Sequence, residues 1–261
     1  MKNRIVSICV AMCVLTLVSI CAVSAARYDS PFKIPYSDAT IVDGSLDDWA
    51  GSQWMAINAI YDGTPSDIAE AYYTMRWGNG GTKLYMAVKV RDTSQVFTDS
   101  YTNWNAKDGV ELYIHTTNPD LSSYAAKQEA AQQYAIGIKN SNHNEVWTAI
   151  GYEPVNHYVI TPADGFEAAG RVSGEWLYYE ASMTAYKYFG GMTNAESIIS
   201  PLFAGQTINA DVVVTGRSTA GYTGMKCEHT GSGMSEWWAN TAYHELIRPG
   251  VQGKVELLDW K

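Results

Sequence analysis

Cysteine is almost absent from this 261-residue chain once the first 26 positions are set aside: Cys9, Cys13 and Cys21 fall there, and only Cys227 follows. An internal disulfide in the remainder is thereby excluded, so stability must come from packing. Long apolar runs are also missing after residue 26, so no transmembrane helix is expected in that part of the chain. Heptads, long amphipathic helical patterns and repeats of fixed period are absent too, which argues against coiled coils and solenoids. Positive charge is scarce, with 18 Lys and Arg against 27 Asp and Glu and a formal net charge of −9. Such a surface makes nucleic acid a poor partner, because phosphate binding needs cations. Phenylalanine is sparse as well, at 5 residues against 18 Tyr and 9 Trp. Most aromatic rings therefore carry a polar tip, which suits half-wet surfaces, either cross-strand aromatic pairs or carbohydrate contact.

What is present begins with a leader. Lys2 and Arg4 precede an apolar run from Ile5 to about Ile20, and small residues Val23-Ser24-Ala25-Ala26 follow. This is the layout of a secretory signal peptide over residues 1–26, with the mature chain starting near Ala26 or Arg27 and lying outside the cytoplasm. Residues 27–261 are long enough for one generous domain.

The rest reads as strands. Tyr72–Trp77 and Lys83–Val90 alternate and are joined by Gly78-Asn79-Gly80-Gly81-Thr82, a hairpin signal that puts Leu84, Met86, Val88 and Val90 on a buried face. Further strands are expected at 110–115, 133–139, 145–150, 175–183, 207–215 and 254–258, between Gly, Pro, Asn and Asp clusters. Residues 125–132 and 194–199 are the plausible short helical decorations. Many short strands with one apolar side imply an all-β fold, a two-sheet antiparallel β-sandwich.

The stretch Trp104 to Ile114 holds the densest information. From Asp108 onward, Val110, Leu112 and Ile114 share one face, while Gly109, Glu111, Tyr113 and His115 share the other. A carboxylate and a phenol on one face, with an indole just upstream, suit a polyhydroxylated ligand; a sheet with one solvated side explains the same pattern.

Three segments in order, V-D-G-S-L-D-D-W (42–49), M-R-W-G-N-G-G-T-K-L-Y-M-A-V-K-V-R-D (75–92) and W-x3-D-G-V-E-L-Y-I (104–114), resemble family 9 carbohydrate-binding modules. Gln132–Ile136, Trp176–Met183 and Gly253–Leu257 extend the likeness over nearly all of the mature chain. The resemblance implies a non-catalytic β-sandwich that grips a terminal sugar of a glucan or xylan between two tryptophans. Trp104 matches the first clamp position and Glu111 the carboxylate after it. The second clamp falls at Trp237 or Trp238, with Trp238 favoured because Ala239-Asn240 follows as a polar turn. One departure stands out, since Ala135 occupies a position where sugar-binding members carry arginine.

Other chemistries are weaker. Asp92, Asp108 and Glu111 could suggest a glycosidase pair, but no partner can be placed at catalytic distance, and no nucleophile elbow, phosphate loop or metalloprotease helix motif occurs. The five histidines show no transition-metal spacing. No cofactor is required, although the resemblance implies a possible structural calcium, with Asp43, Asp47 and Asp48 as candidate ligands. Two alternatives remain open: a structural or adhesion sandwich that binds no sugar, and a haem b module of similar fold in which His115 would be the first ligand to test. Expected partners are an oligo- or polysaccharide and, through it, a glycoside hydrolase or a cell-surface component.

Overall fold

A computed structural model of the chain describes residues 32–100, 107–116, 130–152, 155–158, 165–189, 197–227 and 242–248. Its strands are β1 (Phe32–Pro35), β2 (Met55–Ala56), β3 (Ala59–Gly63), β4 (Ile68–Gly78), β5 (Lys83–Asp92), β6 (Gly109–His115), β7 (Ala131–Ile138) and β8 (Val146–Tyr152). They continue as β9 (Val155–Tyr158), β10 (Phe166–Ser173), β11 (Trp176–Thr184), β12 (Tyr186–Tyr188), β13 (Ile198–Ile199), β14 (Thr207–Ser218), β15 (Gly221–Cys227) and β16 (Ala242–Ile247).

Nine strands form one sheet, ordered β1-β16-β14-β6-β7-β8-β9, with β15 added on β14 and β3 on β15. Five form the other, ordered β10-β11-β5-β4-β2. All pairings in the two sheets are antiparallel except β1 on β16, which is parallel. The core lies between the sheets. Leu84, Met86, Val88 and Val90 face it from β5, as the alternation requires, and meet Val110, Leu112 and Ile114 of β6 in one apolar cluster. Each such side chain contributes roughly 1.5–3 kcal/mol when fully removed from water. Tyr134 of β7 stacks on Phe166 of β10 across the gap, with ring centroids 4.3 Å apart and planes 1° from parallel, so the aromatic pair ties sheet to sheet.

The β4–β5 hairpin turns where the sequence signals it. Asn79, Gly80 and Gly81 take φ of 52°, 65° and 85°, a left-handed run that N-G-G tolerates and β-branched residues would not.

Helix is scarcer than expected. The described helical segments are two 3-10 turns, Leu46–Trp49 and Asn79–Gly81. Ala131 and Gln132, expected as the end of a helix, instead open β7, and Ile198–Ile199, expected to close another, pairs with β12. Pairing with β6, Gln132 to Ile114 and Ala131 to His115, decides the first case, overriding the helix propensity of an Ala- and Gln-rich segment. The strand expected at 254–258 lies outside the described residues, as do the rest of both expected helical segments. No described helix is long and apolar enough to cross a membrane.

Candidate functional site

The outer face of the nine-stranded sheet, opposite the core, carries the residues singled out by the sequence. Alternation along β6 puts Glu111, Tyr113 and His115 there, and register sets Val213, Asp211 and Asn209 of β14 beside them. This face is not a solvated one: every residue of β6 is buried. Tyr113, Val213, Met225 and Cys227 form a second apolar cluster on it, with Ala59 and Tyr61 packed against them from β3.

Glu111 sits in this cover at 1% exposure. Its Oε2 accepts hydrogen bonds from the Tyr113 hydroxyl and, at 2.8 Å, from Gln133 Nε2, while Oε1 is buried without a partner. Burial pushes the carboxyl up to about 8, against the pull of the Tyr113 and Gln133 hydrogen bonds. Burial thus favours the neutral acid, the form that has a donor to offer.

Directly across from Glu111 in β7 stands Ala135. Beyond Ala135, Ala149 and Trp147 of β8 complete a small apolar cluster. The indole lies over Gly137, where any Cβ would overlap it, and its Nε1 is buried with no hydrogen-bond partner. Sequence reasoning passed over Trp147; its place opposite a glycine in the strand next to Ala135 is the signal that would have found it.

Trp104, Trp237 and Trp238 lie outside the described residues. His115 is buried on the same face as Glu111, while Met75, Met86 and Met183 belong to the main core and Met225 packs with Tyr113.

The turn containing Asp43, Asp47 and Asp48 has a clear structural role. Asp43 Oδ1 accepts from the Ser45 N–H at 2.7 Å, and Asp48 Oδ2 from the Ile41 N–H at 3.0 Å. The same turn clasps Glu180 of β11: the Gly44 N–H donates to Oε2 at 2.6 Å, the Asp43 N–H at 3.2 Å, and Trp49 Nε1–H donates to Oε1 at 2.6 Å. Burial raises the Glu180 carboxyl to about 7, opposed chiefly by the Trp49 bond. The D-G-S-L-D-D-W motif thus acts as a clip that fastens the segment before β2 to the five-stranded sheet.

A different acidic group does gather. Asp67 before β4, Asp92 at the end of β5 and Asp108 before β6 each offer a carboxylate oxygen within 4.8 Å of the others, and all three are buried. Glu111 does not join them. Ser94 N–H donates to Asp92 at 2.7 Å, Arg217 N–H to Asp108 at 2.7 Å, and the Thr223 hydroxyl to Asp67 Oδ1 at 2.5 Å. Asp67 Oδ2 is buried with no partner. Burial raises both the Asp92 and Asp108 carboxyls; the negative charge of Asp92 adds to the rise at Asp108, while the Ser94 N–H opposes it at Asp92. An all-oxygen set with one orphaned atom fits a hard divalent cation.

Comparison with known proteins places these features. The model of carbohydrate family 9 binding domain-like domains matches residues 42–196. The structure is similar to a family 9 carbohydrate-binding module from Caldicellulosiruptor kristjanssonii in complex with cellotriose, at TM-score 0.60 and 11% identity over 87% of this chain and 98% of that one. A structure of a family 9 module from the same organism with glucose matches at TM-score 0.57 and 11% identity, over 88% of this chain and 100% of that one. No curated protein matches.

Proposed function

Since this chain belongs to the carbohydrate family 9 binding domain-like family, we propose that it is a secreted, non-catalytic saccharide-binding protein. In this reading Trp104 and Trp238, or Trp237 in its place, stack on the faces of a chain-end sugar of a glucan or xylan, and Glu111 supplies the polar contact. The observation that carries it is Glu111 itself, whose Oε1 has no hydrogen-bond partner among the described residues, on the strand that follows Trp104 in sequence. A buried polar atom left unpaired costs about 1–3 kcal/mol, and a ligand hydroxyl would relieve that cost. Such a protein serves polysaccharide breakdown by proximity, holding a partner glycoside hydrolase or a cell surface at its substrate. Titration with cello- and xylo-oligosaccharides, followed by tryptophan fluorescence, tests it.

The same fold is proposed to hold a structural calcium ion at Asp67, Asp92 and Asp108 rather than at the turn carboxylates Asp43, Asp47 and Asp48. The ion would neutralise three buried acids and so fasten the start of β4, the end of β5 and the approach to β6 to one point.

A second reading, an adhesion or scaffold sandwich that binds no sugar, is favoured by one observation. The face around Glu111 is packed by Tyr113, Met225 and Cys227, and Ala135 brings no guanidinium to it. Absence of any saccharide response would select this reading.

A further inference from the structure

The five-stranded sheet has its own outer face, and the rows across it differ sharply. One row, Thr74, Ala87, Glu180 and Ala169, lies under the Asp43–Trp49 clip, and Trp49 stacks over Arg76 at 4.5 Å beside it. The next usable row on that face runs Tyr72, Lys89, Tyr178 and Arg171 across β4, β5, β11 and β10. All four are half-buried. Aromatic and cationic side chains alternate along the row.

Two further rings widen it. Trp54 brackets the row at one end, with Lys89 Nζ 4.4 Å from its ring centroid and 5.2 Å from that of Tyr72. Trp176 lies beside Tyr178, their centroids 6.4 Å apart and planes within 17°. Arg171 stands 5.2 Å from the Tyr178 ring. The result is a row of alternating aromatic and cationic side chains running across the strands, widened along β11 by the near-parallel Trp176 and Tyr178 rings.

Its charge runs against that of the whole chain, whose formal net is −9. In the following row Arg91 is neutralised by Glu70 at 2.8 Å and by Glu175 at 3.4 Å. Lys89 and Arg171 are not: neither meets a carboxylate at ion-pair distance among the described residues, and Arg171 Nε is buried without a hydrogen-bond partner. In a protein where acids outnumber bases, two uncompensated cations in a row of four, set between rings, call for an anionic partner with apolar faces.

We propose that this strip is a second carbohydrate site, separate from the Glu111 face, that takes an extended uronic-acid polysaccharide laid across the strands. The C–H faces of successive pyranose rings pack on Tyr72, Tyr178 and Trp176. Carboxylates on the same chain pair with Lys89 and Arg171, which stand two strand spacings apart, about 9–10 Å. A guanidinium fork matches a planar carboxylate in two parallel hydrogen bonds, so an uronate carboxylate is held at Arg171 by geometry as well as by charge.

Affinity electrophoresis of the purified protein through gels containing polygalacturonate, its methyl-esterified (uncharged) form or hydroxyethyl cellulose tests this. Polygalacturonate should retard the wild type more than either other polymer, and added salt should weaken the effect. The Lys89→Gln/Arg171→Gln double variant should bind polygalacturonate at least about tenfold more weakly. Lys89→Arg should retain binding, and Trp176→Ala/Tyr178→Ala should lose it. Thermal melts establish that each variant is folded, and Arg171→Gln alone serves if the double variant is not. Unretarded wild type, a glutamine variant retarded like wild type, or equal retardation by the methyl-esterified polymer would each overturn the proposal.

Discussion

Ala135 stands directly across from Glu111 in the register of β6 and β7, so the buried carboxyl faces a methyl group there and not a cation. The acid is held by Tyr113 and Gln133 alone among the described side chains. Without a cation, burial decides its protonation, and the carboxyl is carried up to about 8.

This makes a stability prediction with a definite sign. A carboxyl whose folded value lies above its unfolded one stabilises the fold fully at low pH and loses that contribution as pH rises towards about 8. Glu111→Gln, which mimics the neutral acid, should match wild type near pH 4 and exceed it by a few kcal/mol at pH 9. Urea denaturation across that range reads the difference; parallel curves would show that the group ionises at no cost.

The Asp67, Asp92 and Asp108 group predicts a calcium-dependent melt. Calcium at a hundredfold excess over its dissociation constant adds about 2.7 kcal/mol, and chelator should remove it. Because burial raises both the Asp92 and Asp108 carboxyls, and the charge of Asp92 adds to the rise at Asp108, the metal-free protein should lose stability as pH rises from about 4 to 9. Calcium should flatten that slope, and Asp67→Asn should abolish the calcium effect. A melting temperature indifferent to calcium and chelator at pH 8 would remove the site.

Much of this architecture was legible in the sequence. Strict alternation in β5 and β6 identified the core face, and Asn79-Gly80-Gly81 marked its turn because only such residues accept three consecutive positive φ values. β15 was not legible: Gly221, Gly224 and Lys226 break any apolar pattern, and the strand exists because β14 and β3 pair with it on both sides. The acidic trio was hidden for another reason, since its members are brought together from three separate strand ends by tertiary structure alone. The burial of the Glu111 face was equally unreadable, because alternation reports which residues share a face and not what covers it.

The clip on Glu180 should be costly to break. Glu180→Ala removes the acceptor for the Gly44 and Asp43 N–H groups and the Trp49 indole, with an expected loss of roughly 2–4 kcal/mol. Trp49→Phe deletes only one of these bonds and should cost less. Chemical denaturation ranks them, and equal stability of Glu180→Ala and wild type would show the clip to be ornamental.

Gly137→Ala should disturb Trp147 specifically, since the added methyl overlaps the indole. The expected cost is about 1–3 kcal/mol, with a shift in tryptophan emission that Gly174→Ala, in an open turn, does not reproduce.

Saccharide binding at the Glu111 face is tested most directly by titrating the purified protein with cello- and xylo-oligosaccharides while following tryptophan fluorescence, for wild type and Trp104→Ala. Saturable quenching in wild type, lost in a Trp104→Ala variant that melts at an unchanged temperature, is the predicted result. No response of the wild type to any reducing sugar, or an equal response from both proteins, would contradict it.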